Sequence, residues 1–159
     1  MVEAHSDAIA TADREIVISR LLDAPPERVW DAWIDPTAVA QWFGPNGFTI
    51  TTHEMDVRPG GIWRFTMHGP DSVDYPNKIN YREVVRPARL VYRHSGGEDD
   101  PDVFDTTVTF EAHGSNTLLT LHAVFPTAAD RDRHAEEYGA IEGGKQTLAR
   151  LAAFVEAKA

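Results

Sequence analysis

The chain contains no cysteine among its 159 residues. This absence excludes disulfide frameworks, thiolate nucleophiles and zinc or iron–sulfur centres held by cysteine. The sequence also lacks any apolar run that approaches the roughly 18 residues of a membrane-spanning helix. With 42% hydrophobic residues, a chain of this length is instead expected to form one globular domain around its own core.

Positive charge is scarce: 15 lysines and arginines stand against 25 aspartates and glutamates, a formal net charge of −10. Such a chain repels phosphate backbones and anionic lipid surfaces, so we expect no nucleic-acid binding and no membrane span. Residues 1–13 lack the basic start and the apolar run of a signal peptide, so we interpret them as a disordered leader. The cytoplasm is the expected compartment.

Signatures of metal binding and nucleophilic catalysis are also missing. The seven histidines include no pair at the i, i+4 spacing that places two ligands on one helix face. No Gly-x-Ser-x-Gly elbow occurs, and the acidic segment 98–102 lacks the glycine and final glutamate of a calcium loop. We predict neither a metal site nor a cofactor, and we favour a non-enzymatic role while leaving catalysis open.

What the chain does contain is a series of strand-like segments separated by Gly, Pro and Asn. A first strand is expected over 14–23. Two short helices follow, over 25–34 and 37–43, and prolines stand at or just before the start of each. The connections after residue 47 are too short for crossover helices, which predicts an antiparallel meander. Its six strands are expected at 48–57, 62–68, 78–85, 90–95, 103–111 and 117–125.

The segment 127–158 carries an apolar stripe at helical spacing, which predicts a long C-terminal helix with 145–156 as its firmest part. Gly139, Gly143 and Gly144 each cost about 1 kcal/mol relative to alanine in a helix, so its continuity there is left open. The sheet must bury one face against this helix. We therefore predict a single α+β domain over residues 14–158.

Several segments together carry a resemblance to a known family. The chain resembles the START-like, or SRPBCC, superfamily and, within it, proteins similar to the activator of heat-shock-protein ATPase. The matching segments are Ala-Pro-Pro-Glu-Arg-Val-Trp-Asp-Ala-Trp at 24–33, Trp-Phe-Gly-Pro at 42–45, Asp-Val-Arg-Pro-Gly-Gly at 56–61, Pro-Ala-Arg-Leu-Val-Tyr at 87–92 and Glu-Gly-Gly-Lys-Gln-Thr-Leu at 142–148.

The resemblance implies a helix-grip fold: a curved seven-stranded antiparallel sheet around a long C-terminal helix, with two short helices between strands 1 and 2. It also implies a cavity between sheet and helix that accepts apolar molecules in relatives, without implying one activity. Many relatives have tryptophan where Ala140 and Gly144 stand. The smaller side chains are expected to enlarge the cavity.

Alternation along the strands predicts which side chains face this interior. Large apolar groups recur at every second residue after the Gly60–Gly61 turn, and aromatic or ionisable groups do so on the next strands. The predicted ligand-binding residues are Trp42, Phe43, Trp63, Phe65, Met67, Tyr81, Glu83, Tyr92, His94 and Ile141. The alternative for this set is that the rings simply fill a packed core.

Three functions follow from the pattern and the resemblance. The first is binding of a small hydrophobic or aromatic ligand, as a carrier, sensor or stress-related lipid binder. The second is a cyclase- or hydrolase-like enzyme in which His94, Tyr81 or Glu83 transfers protons. The third, implied by the resemblance, is a co-chaperone that stimulates a heat-shock-protein ATPase. An exposed sheet edge also leaves a homodimer open.

Overall fold

The protein contains a seven-stranded antiparallel sheet. The computed structural model describes residues 12–96, 103–137 and 139–157. The strand order is β1-β7-β6-β5-β4-β3-β2. The strands β2 to β7 therefore form a continuous meander, and β1 pairs with β7. This confirms the predicted topology. The strands are β1 (Glu15–Leu22), β2 (Thr49–Met55), β3 (Ile62–His68), β4 (Asp74–Val85), β5 (Arg89–Ser95), β6 (Val103–His113) and β7 (Asn116–Val124).

Two short helices, α1 (Pro26–Ile34) and α2 (Pro36–Val39), connect β1 to β2. Each begins with proline, which fits the first helical turn because no hydrogen bond is required of its missing N–H. The Asp35 side chain caps α2 by accepting a 3.0 Å hydrogen bond from the Thr37 N–H. The α-helical part of α2 is shorter than predicted, and residues 40–42 continue as turns.

The C-terminal segment forms two helices, α3 (Ala128–Glu136) and α4 (Ala140–Glu156). They are separated at Gly139, whose φ of +62° lies in the left-handed region that favours glycine. The continuity that the sequence left open is thus interrupted at Gly139, whereas Gly143 and Gly144 lie within α4. The buried face of α4 consists of Thr147, Leu148, Leu151, Ala152 and Val155.

The core lies between the inner face of the sheet and the helices α1 and α4. Trp30 of α1 packs edge-on against Phe110 of β6, with ring centroids 5.3 Å apart. This contact places α1 against β6. Leu148 and Leu151 of α4 are at most 1% exposed. The arrangement confirms an α+β helix-grip fold.

Two predicted segments lie outside the described residues: positions 1–11 of the expected leader and the acidic segment 98–102. Residues Ala12–Arg14 form a 3-10 turn that leads into β1. Within the described ranges, no helix combines the length and the apolar composition needed to cross a membrane. The domain limits of 14–158 stay a prediction.

Candidate functional site

Aromatic rings from three parts of the chain meet over the inner face of β3. Trp63 and Phe65 stack with centroids 4.0 Å apart, and each is 1% exposed, as the alternation predicts. Phe43 lies 5.1 Å from Trp63 and 5.4 Å from Phe65. Trp42 lies 5.6 Å from Phe43, and Trp33 lies 4.9 Å from Trp42. We call these five residues the aromatic cluster.

Trp33 is the member of the cluster that the sequence analysis did not select. It is 3% exposed, and its indole Nε1 has no hydrogen-bond partner within the described residues. By contrast, Trp42 Nε1 donates to the Ala32 carbonyl oxygen at 3.1 Å. A buried donor without an acceptor costs about 1–3 kcal/mol. The cluster therefore contains one unsatisfied N–H in an otherwise apolar surrounding.

Phe43 is the member of the cluster that reaches towards the surface. It is half-buried, whereas the other four are nearly inaccessible. Its ring packs edge-on against Trp33, Trp63 and Phe65, at interplanar angles of 88°, 77° and 81°. Phe43 therefore closes the cluster on its accessible side.

Helix α4 fixes the loop that carries Phe43, which we call loop 43–48. The Arg150 guanidinium donates from Nη1 to the carbonyl oxygens of Gly44 at 2.8 Å and Pro45 at 3.0 Å, and it approaches that of Phe48 at 3.2 Å. Burial lowers the pKa of Arg150 from its ordinary value. A single cation thus binds several main-chain oxygens of the same loop.

Two further residues of α4 face the same loop. A Cβ atom at Gly143 would lie 3.3 Å from Pro45 Cγ, so glycine allows a close approach of helix and loop. Gln146 Oε1 accepts a 3.0 Å hydrogen bond from the Asn46 N–H. One face of α4 therefore docks on loop 43–48.

The neighbouring face of α4 docks on β1. A Cβ atom at Gly144 would collide with Ile18 Cδ1. The expectation that a small residue at Gly144 enlarges the cavity is therefore wrong, because the Ile18 side chain fills that space.

The predicted polar groups of the interior are present and mostly satisfied. Tyr81 and Tyr92 are 3% and 5% exposed, and burial raises the pKa of both phenols well above 10, which keeps them neutral. Tyr92 hydrogen-bonds Thr106, its cross-strand neighbour. His94 Nε2 lies 2.7 Å from Asn77 Oδ1. These groups can orient a ligand but are not arranged as an acid–base pair.

His94 also connects the cluster to a second group of rings. Its ring centroid lies 6.3 Å from Phe65 and 4.9 Å from Phe104. Phe104 stacks on Phe125 at 4.8 Å, and His134 of α3 contacts both. This group is not evident from the sequence because its members come from β6, the end of β7 and α3.

Glu83 lies on the outer face of the sheet, contrary to the prediction. A β-bulge between Tyr81 and Glu83 reverses the alternation of β4, so that Glu83 pairs with Val91. Its carboxylate forms a 2.7 Å salt bridge with Arg89 and is about half exposed. The proposed proton-transfer group of His94, Tyr81 and Glu83 is therefore not assembled.

Met67 and Ile141 occupy different surroundings. Met67 is half-buried at the edge of the core, where its Cε would lie 3.1 Å from a Cβ atom added at Gly44. Ile141 is half-buried and borders a groove beside β1 rather than the aromatic cluster. The structure thus unites Trp42, Phe43, Trp63 and Phe65, while Ile141 faces a separate surface.

Neither of the two best-formed depressions among the described residues borders the aromatic cluster. The best-formed depressions lie elsewhere: a groove of about 500 Å³ between β1 and α4, and a recess of about 170 Å³ near Phe104 and Phe125. The resemblance implies a cavity between sheet and helix. At the cluster itself, the rings contact one another.

A hydroxyl, an imidazole and a carboxylate also line up across β2, β3 and β4. Thr51 Oγ1 lies 2.7 Å from His68 Nε2, and His68 Nδ1 lies 2.8 Å from Asp74 Oδ1. The order matches that of a nucleophile, its base and an orienting acid. The three side chains are exposed, and none of them lines either depression. We therefore interpret them as a ladder of hydrogen bonds between neighbouring strands.

The same fold occurs in solved structures of bacterial proteins. A protein from Chromobacterium violaceum is 29% identical, with a TM-score of 0.78 and 90% of this chain and 97% of that chain covered. A protein from Nitrosomonas europaea is 25% identical, with a TM-score of 0.83 and coverages of 92% and 97%. An Arthrobacter aurescens protein, 24% identical, shares the fold at a TM-score of 0.85, covering 92% of this chain and 88% of its own.

No curated protein matches the sequence. The family model described as Activator of Hsp90 ATPase homolog 1-like protein matches residues 23–156, which include α1, the meander and α4. The match covers most of the chain and agrees with the resemblance carried by its motifs. The chain therefore belongs to the Activator of Hsp90 ATPase homolog 1-like family.

Proposed function

We propose that the domain binds a small aromatic or otherwise apolar molecule at the aromatic cluster, and that Phe43 moves aside to admit it. The observation that carries the proposal is the buried, unpartnered Nε1–H of Trp33. A ligand with an acceptor atom would supply the missing hydrogen bond, while its ring would replace the contacts of Phe43. Membership of a family with the helix-grip fold is consistent with ligand binding by the domain.

The surroundings define the chemistry of such a ligand. The cluster contains no charged side chain, and transferring an ion into it would cost far more than transferring a neutral group. Each edge-on ring contact contributes about 0.5–1.5 kcal/mol, so among apolar ligands an aromatic one compensates best for the displaced Phe43. We therefore expect a neutral molecule of one or two rings with one acceptor.

Replacing Phe43 with alanine tests the proposal. Phe43→Ala should destabilise the protein by about 2–4 kcal/mol, because it leaves a space bordered by rings. Benzaldehyde, which carries an acceptor, should then raise the melting temperature of this variant more than that of the wild type. Phe48→Ala is the matched control, since Phe48 is half-buried on the same loop but its ring contacts Tyr75 and not the cluster.

Trp33→Phe tests the role of the unpartnered N–H. In the Phe43→Ala background, benzaldehyde should bind more tightly than styrene, which has a similar shape and no acceptor. Adding Trp33→Phe should abolish this preference, because the substitution removes the indole N–H and keeps an aromatic ring at this position. The proposal would be wrong if neither compound shifted the melting of Phe43→Ala, or if Phe48→Ala responded equally.

The name of the matched family supports a second candidate, stimulation of a chaperone ATPase through the surface. An ATPase assay with purified chaperone tests it. Stimulation should survive Phe43→Ala, because a surface contact does not require the aromatic cluster. The absence of stimulation by the wild-type protein would remove this candidate.

A further inference from the structure

Among the strands that the structure describes, β1 lies at one end of the sheet and pairs with β7 alone. In a strand, the N–H and C=O of one residue point to the same side, and successive residues alternate sides. The Glu15 carbonyl oxygen accepts a 3.0 Å hydrogen bond from Arg131 Nε. The Asp23 N–H donates to Glu156 Oε2 at 3.0 Å. Charged side chains thus cover the two ends of the free edge, and the odd-numbered residues face it.

Between these two covered ends, Val17, Ser19 and Leu21 direct their main-chain groups to the free edge. Within the described ranges, these main-chain groups of the free edge form no hydrogen bond. The side chains of Val17 and Leu21 are 58% and 53% exposed. Proteins usually cover or charge a free edge because it pairs readily with another strand. Nothing in the described part of the chain covers the middle of this edge.

Helix α4 provides the opposite wall of a groove along this edge, which we call the β1 groove. It has a volume of about 500 Å³ and is lined by Val17, Ile18, Ser19, Arg20, Ile141, Lys145 and Leu148. Four consecutive residues of β1, from both faces of the strand, border it. The groove therefore follows the backbone edge and not one face, as a site for an extended chain would.

Two cations border the β1 groove in a protein whose net charge is −10. Neither Arg20 nor Lys145 forms an ion pair in the part of the chain that the structure describes. A second copy docking edge to edge across a two-fold axis would bring both pairs of cations together, which is unfavourable. Charge complementarity instead favours an acidic partner.

We propose that the β1 groove binds an extended acidic peptide segment, which adds to the sheet as an eighth strand. The main chain of the peptide would pair with Val17, Ser19 and Leu21, and its carboxylates would meet Arg20 and Lys145. The open edge spans five residues, or about 17 Å, which sets the length of the paired segment. This site is separate from the aromatic cluster and does not depend on the proposed ligand.

Fluorescence anisotropy with a labelled peptide of alternating valine and glutamate, about seven residues long, tests the proposal. We expect saturable binding that weakens at high salt. Ser19→Pro removes an N–H that faces the groove and not β7, so it should weaken binding more than about tenfold while the sheet persists. Ser19→Ala keeps the N–H and serves as the matched control.

Charge reversal at Lys145 tests peptide binding without altering the backbone. Lys145→Glu, at an exposed position of α4, should weaken binding of the glutamate peptide by about fivefold or more, and should favour a lysine-containing peptide instead. Circular dichroism and melting curves establish that each variant is folded. If Ser19→Pro does not fold, the two peptides with Lys145→Glu decide the question.

Three outcomes would overturn the proposal. The wild type would show no saturable binding, or the two peptides would bind equally to Lys145→Glu and to the wild type. Alternatively, analytical ultracentrifugation would show a dimer that Ser19→Pro dissociates, which would assign the edge to a second copy. Phe43→Ala should leave peptide binding unchanged, so failure at the aromatic cluster would be distinguishable from failure here.

Discussion

Arg150 is expected to be the main attachment between α4 and loop 43–48, and its replacement tests this directly. Arg150→Met keeps the length and packing of the side chain but removes the donors to the carbonyls of Gly44 and Pro45. Hydrogen bonds to a charged group contribute about 1.5–3 kcal/mol, so we expect a loss of about 2–3 kcal/mol of unfolding free energy. In a domain of this size, that corresponds to a fall of about 5–10 °C in melting temperature.

Urea unfolding followed by tryptophan fluorescence measures this loss. Arg82→Met is the matched control, because Arg82 is exposed and forms no ion pair in the described part of the chain. Arg150→Lys should be intermediate, since it keeps the cation but not the planar fork. The difference should also be constant between about pH 6 and 9, where arginine stays protonated. A change below about 0.5 kcal/mol for Arg150→Met would refute this reasoning.

Two further predictions concern the interior and loop 43–48. Burial raises the folded-state pKa of Tyr81, so its stabilising effect is complete below pH 10 and declines above it, by about 1.4 kcal/mol per pH unit. Tyr81→Phe should therefore reduce the alkaline slope of stability in urea titrations at successive pH values; an unchanged slope would contradict this. Gly44→Ala should cost about 2–3 kcal/mol in the same assay, because its φ is +103° and the new Cβ would crowd Met67 Cε. Gly60→Ala, with a φ of +84° and open space around it, should cost only about 1–2 kcal/mol, and an equal loss would contradict the crowding argument.

Alternation along the strands was sufficient to predict the inner face of β3. Trp63 and Phe65 point inward because a sheet covered on one side buries every second residue. The same rule failed for Glu83, where a bulge inserts one residue into the ladder with β5. A bulge depends on the register with the partner strand, which a single sequence does not specify.

The composition of the aromatic cluster shows a different limit. Trp33 lies on the buried face of α1, whereas its neighbours Trp42 and Phe43 belong to another segment. Likewise, the carbonyl groups that Arg150 binds converge only when α4 packs on loop 43–48. Whether rings line a cavity or fill it depends on volumes in three dimensions. Alternation carries no information about those volumes.

Helix α4 contacts both loop 43–48, which carries Phe43, and β1, which borders the β1 groove, through different faces. Gly143 lies against Pro45 of loop 43–48, and Gly144, the next residue, lies against Ile18 of β1. Displacing Phe43 requires the loop to move, and that movement can occur by breaking the hydrogen bonds of Arg150 without shifting the helix. Moving α4 itself would also disturb the packing of its buried leucines, which costs more. We therefore expect the loop to open while the β1 groove keeps its shape, so that an aromatic ligand leaves peptide affinity unchanged.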